Sequence, residues 1–233
     1  MPHGVFLYTG NRKKKNKGRR VCREMQSLRR NEESMSLFLG PIHHWLYRKI
    51  RLQEELITTL AEQEGARSGD SGKYETYVNR ELRPLEELID TDNIHGWLQA
   101  RIHDAEGRYA ALVAAILKED SEAKSRIEDE VFAFGASNAV PAEASPAEAY
   151  RFYGDNLVNG MPCDHVDRVT EQAEDHIAWT LDQDLHGDFW IQAGQSPELY
   201  YALRLAEMRG MLSGTRLELL SPAEMSYVLK EKA

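Results

Sequence analysis

Apolar positions recur at helical spacing over most of this chain. From Ile42 to Glu64, the side chains of Ile42, Leu46, Ile50, Ile57 and Leu60 share one face, and Trp45, Leu52 and Leu56 widen it. Pro41 suits the first turn of that helix, where its missing N–H costs nothing. The centre of the stripe also holds Lys49 and Gln53. Two accounts fit them. A lysine stem can cover apolar surface between two neighbouring helices; a polar break in a core stripe can also mark a functional position. Tyr74 to Ile89 reads as a broken helical stretch with Pro84 as kink or restart. Thr91-Asp92-Asn93 offers N-cap chemistry to the helix that follows. In that helix Leu98, Ile102, Ala105, Tyr109, Leu112 and Ile116 alternate spacings of four and three, a seam that asks for a long antiparallel partner. Ser121 to Phe134 is a further amphipathic stretch.

Residues 137–145 are rich in Ala, Ser and Pro and read as a linker. Three Ser-Pro starts follow it and predict helices over Pro146–Leu157, Pro197–Leu212 and Pro222–Lys230. Two of them, Ser145-Pro146-Ala147-Glu148 and Ser221-Pro222-Ala223-Glu224, have capping-box form. Gly160 and Gly214 mark helix ends. Between them the period changes. Ile177, Trp179 and Leu181 alternate inward against His176, Ala178 and Thr180, so an antiparallel hairpin near 167–182, turning at Glu174-Asp175, buries the tryptophan that a helix would leave outside. The fold class expected is therefore mainly α: a helical bundle with one small antiparallel β-hairpin, the alternative being all-α. The expected layout is a basic disordered leader at 1–34, a long-helix bundle at 35–136, the linker at 137–145, and a helical subdomain at 146–233 packed on the first.

Charge sharpens that layout. Ten of the 29 Lys/Arg and only one of the 38 acidic residues, Glu24, fall in the first 30 positions. The body is acidic and repels nucleic acid and anionic membranes, so a nucleic-acid partner is expected only through residues 12–30. The leader has almost no apolar periodicity and cannot fold alone. Met35 stands just before the globular pattern begins and is a second candidate start. The longest apolar run, Ala110 to Leu117, falls far short of the roughly 18 residues of a membrane span. Two cysteines exclude a disulfide framework, and a cytoplasmic location is the expectation.

Candidate chemistry concentrates in residues 163–190. Four of the ten Cys and His residues, Cys163, His165, His176 and His186, fall within it. Thiolate and imidazole suit a transition metal such as zinc, copper or iron, and a cysteine beside a histidine suits nucleophilic catalysis. The sharpest expectation is that Cys163, His165 and His186 converge on one centre, with His176 as a fourth member. The bland alternative is a small buried cysteine among surface or capping histidines. On the first long helix, His43 and Glu54 share an edge and add to Lys49 as ligand-binding candidates. His-Glu-x-x-His, Glu-x-x-His, phosphate-loop, dinucleotide and Gly-x-Ser-x-Gly patterns are all absent.

Two resemblances accompany these residues. Phe38-Leu39-Gly40-Pro41-Ile42-His43-His44-Trp45-Leu46-Tyr47 resembles the opening of an uncharacterised bacterial helical family, which implies no activity. Glu174-Asp175, Trp179-Thr180, Gly194 and Pro197-Glu198-Leu199 resemble a segment of the 2-aminothiazoline carboxylate hydrolase-like proteins. That family carries a cysteine after the strand where this chain has Asp184-Leu185-His186, so no catalytic residue carries over. Three functions stand as expectations: a small-ligand or metal-binding helical protein, a small-molecule hydrolase using Cys163 and a histidine, and an interaction or homo-oligomeric assembly module built on the 98–116 seam.

Overall fold

The computed structural model describes residues 39–232. The leader, its basic run and the Met35 start all lie outside the described residues. The compact unit runs from His43 onward. Its elements are α1 (Pro41–Arg67), a 3-10 turn (Glu75–Tyr77), α2 (Leu85–Leu88), α3 (Ile94–Glu119), α4 (Lys124–Ser137), α5 (Pro146–Asn156), a second 3-10 turn (Pro162–Asp164), β1 (Asp167–Gln172), β2 (His176–Leu181), α6 (Gly187–Gln192), α7 (Pro197–Met211), β3 (Leu217–Ala223) and β4 (Ser226–Glu231). The fold is mainly α with a small four-stranded sheet, and among the described residues no helix is long and apolar enough to cross a membrane.

The helix signals at Asn93 and Ser145 act as expected, whereas Ser196 opens α7 before Pro197 without a side-chain cap hydrogen bond. Asn93 accepts a hydrogen bond from the Gly96 amide and opens α3. Ser145 and Glu148 close a reciprocal capping box at α5. Ser145→Ala removes half of that box and should cost about 1 kcal/mol in a urea unfolding curve; an unchanged midpoint would contradict the capping role. All six seam residues of α3 are buried in the core of their own chain, so the seam offers no face to a second copy.

Its long neighbour runs parallel, not antiparallel. Tyr47 meets Trp97 and Glu54 meets Arg108, so α1 and α3 ascend together. The cause is the connection. A short loop would return the chain antiparallel, whereas residues 68–93, with a 3-10 turn and α2, are long enough to carry it back to the starting end.

Residues 137–145 are packed against the helices rather than standing free. Val140 is buried and its amide donates to the Met211 carbonyl, which ties this segment to α7. The closest helix packing joins α4, on one side of the segment, to α7 on the other. Gly135 and Gly210 make it possible, because a Cβ at either would collide with the opposite backbone at Glu207 or Phe132.

The expected hairpin is present. β1 pairs with β2 antiparallel, Asp167 opposite Leu181 and Gln172 opposite Ile177, and Ala173 donates to His176 across the turn. Trp179 is 3% exposed, stacked on Tyr227 and packed against Tyr150. The hairpin is half of a sheet ordered β1-β2-β4-β3. Here the expectation fails: Pro222–Lys230 is not a helix. Leu217 and Leu219, then Tyr227 and Leu229, are buried at period two. Ser221-Pro222 falls where the β3–β4 register shifts between Leu220 and Ala223, on an edge strand that tolerates a residue with no N–H. A four-residue cap pattern was outweighed by strand alternation on both sides of it.

Candidate functional site

A cavity of about 320 Å³ lies where α1, α5, the 157–167 loop, β2, α7 and β4 meet. Small-molecule sites begin near this size. Its walls are largely aromatic: Trp45, Tyr150, Tyr153, Trp179, Tyr200, Tyr201 and Tyr227. Several are pinned at their polar ends. Trp45 donates to Asp155 (2.8 Å), Tyr153 to the Met208 carbonyl (2.9 Å) and Tyr201 to Asp184 (2.7 Å). The buried hydroxyl of Tyr200 has no hydrogen-bond partner among the described residues.

Two cations line the cavity. Lys49 is only 4% exposed, and its ammonium sits 4.0 Å from the centroid of the Trp45 ring. Among the described residues, no carboxylate comes within ion-pair distance of it. Burial, then the charge of Arg204, bring its pKa down to about 8, against smaller opposing effects of Asp167 and Asp155. Arg204 reaches in from α7 and donates one N–H to the Val158 carbonyl (2.8 Å), leaving the remaining donors of its fork.

His186 forms one wall. It precedes α6 but does not cap it with its side chain. Asp184 takes that role through the His186 and Gly187 amides. The His186 ring stacks on Tyr200, its Nδ1 faces Glu106 (3.1 Å) and its Nε2 faces the Asn159 amide oxygen (3.2 Å). Asn159 in turn donates to Asp167 (3.0 Å), which fixes the amide and makes His186 Nε2 the donor. Asp167, Asn159, His186 and Glu106 thus form one hydrogen-bonded chain from the cavity wall into the core.

The sequence candidates disperse around this arrangement. Lys49, His165 and His186 share the cavity. Cys163 does not: it is exposed on the one-turn 3-10 segment and has no histidine within hydrogen-bond distance among the described residues. His176 sits at the hairpin tip, roughly 17 Å of strand away from Asp167, where Asp175 and Glu171 raise its pKa. Glu54, 2% exposed, is taken by Arg108 and Asn79. His43 lies against His95, three helical turns from Glu54. The expected convergence of Cys163, His165 and His186 on a metal is therefore corrected. Among the described residues, no group of three or more His, Cys, Asp or Glu side chains could hold an ion. Both ring nitrogens of His186 are already engaged. Sequence density failed as a guide because β1 carries the chain away between one candidate and the next.

Cys163→Ser should leave the melting temperature within about 1 °C of the parent, as expected for an exposed side chain, while the parent thiol reacts readily with a thiol reagent in the folded state. A thiol that reacts only after denaturation would refute its surface placement. Arg204, Asn159 and the cavity tyrosines were not singled out from sequence. They lie on ordinary amphipathic helices, a strand and a loop far apart in the chain, and only the fold gathers them. No family model, curated protein or solved structure matches the chain.

Proposed function

We propose that this chain is a small-molecule-binding protein whose ligand is a compact organic anion with a flat, apolar body. The observation that carries this reading is Lys49: a buried ammonium, facing an aromatic cavity, without a carboxylate in ion-pair distance among the described residues. A buried charge is costly unless something pairs with it, and an anionic ligand would supply the pair. Arg204 supplies a second cation with planar donors suited to a carboxylate. Of the residues lining the cavity, Asp167 is the one carboxylate, and it is already bonded by Asn159. The aromatic walls favour a ring over a flexible chain. A cytoplasmic location suits the exposed free thiol of Cys163.

Calorimetric titration at pH 7 with a panel of aromatic carboxylates and their matching amides tests the reading. Carboxylates should bind at least about tenfold more tightly than the amides, and Lys49→Met should remove about tenfold or more of the carboxylate affinity, the range of one charged hydrogen bond. Equal affinity for the neutral amides, or no loss in Lys49→Met, would overturn it.

A further inference from the structure

Lys49 is placed as a reactive amine as well as a counter-charge. We propose that Lys49 condenses with the carbonyl carbon of a 2-oxo acid bearing an aromatic ring, whose carboxylate is held by Arg204. The inference rests on the anion-binding reading of the same cavity. Its grounds are three. The side chain is buried on α1 and lines the cavity, and among the described residues no carboxylate lies within ion-pair distance of it. Arg204 lines the same cavity closely enough for its charge to act on Lys49. A carbonyl adjacent to a carboxylate is the group that lies beside the lysine when the carboxylate is on the arginine.

Desolvation beside a second cation is a general way to free a lysine lone pair near neutral pH. The groups facing Lys49 are Arg204 from α7, Asp167 from β1, Asp155 from α5 and Arg48 from its own helix, with His165 and His186 on the cavity wall. Arg204 and burial favour the neutral amine; the two aspartates oppose them. In the step itself the ammonium first gives a proton to solvent. The amine lone pair then forms the C–N bond, and the carbonyl π pair moves to oxygen. The nitrogen gives up its two remaining protons as the carbonyl oxygen leaves in water, and a C=N bond is left. Nothing is oxidised or reduced, so the condensation needs no further reactant.

The test uses the full chain with phenylglyoxylate and borohydride, which reduces and traps the C=N bond, followed by peptide mapping. The non-carbonyl analogue mandelate measures binding alone by calorimetry. A single reduced adduct is expected on the α1 peptide at Lys49. Its rate should rise with pH to half-maximum near 8, as the ammonium deprotonates, and not near the ordinary lysine value of 10.5. Lys49→Arg keeps the cation. It should lose at least about tenfold of the adduct, because a guanidinium does not condense with a carbonyl in this way. Mandelate binding with no adduct at Lys49, or adducts spread equally over surface lysines, would overturn the condensation and leave the anion site standing. If neither mandelate nor phenylglyoxylate binds the parent, the cavity reading fails and this inference falls with it.

Discussion

Gly210→Ala and Gly135→Ala are each expected to destabilise the fold by about 3 kcal/mol, at the upper end of overpacking penalties. Both glycines sit at the α4–α7 crossing. A Cβ on Gly210 would overlap the Phe132 carbonyl, and one on Gly135 would overlap the Glu207 carbonyl. The obstacle in each case is opposing backbone, not the tip of a side chain, so relief means separating two helices that share a core with α1 and α3. The two substitutions act on one crossing, so the double variant should cost less than the sum of the singles: once the helices have parted, the second methyl finds room. Gly154 in α5 is the control. A Cβ there meets nothing within 4 Å, and alanine should be neutral or stabilise by up to about 1 kcal/mol. Urea unfolding reads all four variants. A Gly210→Ala protein as stable as its parent would mean that α4 and α7 do not touch at these residues.

The second large effect concerns Lys49 and has a defined pH window. Its folded-state pKa lies at about 8, below the ordinary 10.5, so the unfolded chain binds the proton more tightly. Holding the charged form in the cavity is therefore a cost, present in full below pH 8 and fading as pH rises from 8 to 10.5. The depression corresponds to about 3 kcal/mol at neutral pH as an upper bound. Lys49→Met keeps the length of the side chain and removes the charge. It should be more stable than the parent at pH 7, by about 1–3 kcal/mol, with the advantage shrinking toward pH 10 as the parent lysine neutralises. Taking the difference between the two proteins at each pH cancels the other titrating groups. A variant that is less stable at pH 7, or whose advantage grows with pH, would show that the ammonium is solvated or paired after all. A residue that costs stability and supports binding is the pattern expected where function, not packing, retains it.

Much of the fold was legible where period and local chemistry agreed. The α3 seam with its Asn93 cap and the α5 helix with its Ser145 cap joined a repeating pattern to a local signal, while the Trp179 hairpin was legible from alternation alone, its turn at Glu174-Asp175 having neither Gly nor Asn. β3 and β4 were misread because Ser221-Pro222-Ala223-Glu224 gives a strong local helix signal, while the alternation of Leu217, Leu219, Tyr227 and Leu229 spans the turn it occupies. The direction of α1 relative to α3 had no sequence signal, since residues 68–93 are long enough to return to either end. The site was legible at Lys49, whose position in the middle of an apolar stripe broke the rule for a core helix, and at His165 and His186, which residue type singled out. Cys163 and His176 drew attention by residue type, yet the cavity is built from tyrosines and an arginine that any amphipathic helix could carry.

The central place of β4 has a consequence for biosynthesis. β4 lies between β2 and β3, and its Tyr227 closes the stack over Trp179, yet it follows every helix and every other cavity wall in the chain. A nascent chain stalled before Ser226 carries all the described helices but lacks the strand that joins β3 to the β1–β2 hairpin. Until those residues leave the ribosomal tunnel, β2 has one open edge, the aromatic wall is incomplete and Trp179 has no stacking partner. Synthesis therefore separates two events: helical core assembly can proceed before Ser226 is made, while the aromatic wall of the cavity closes only with β4.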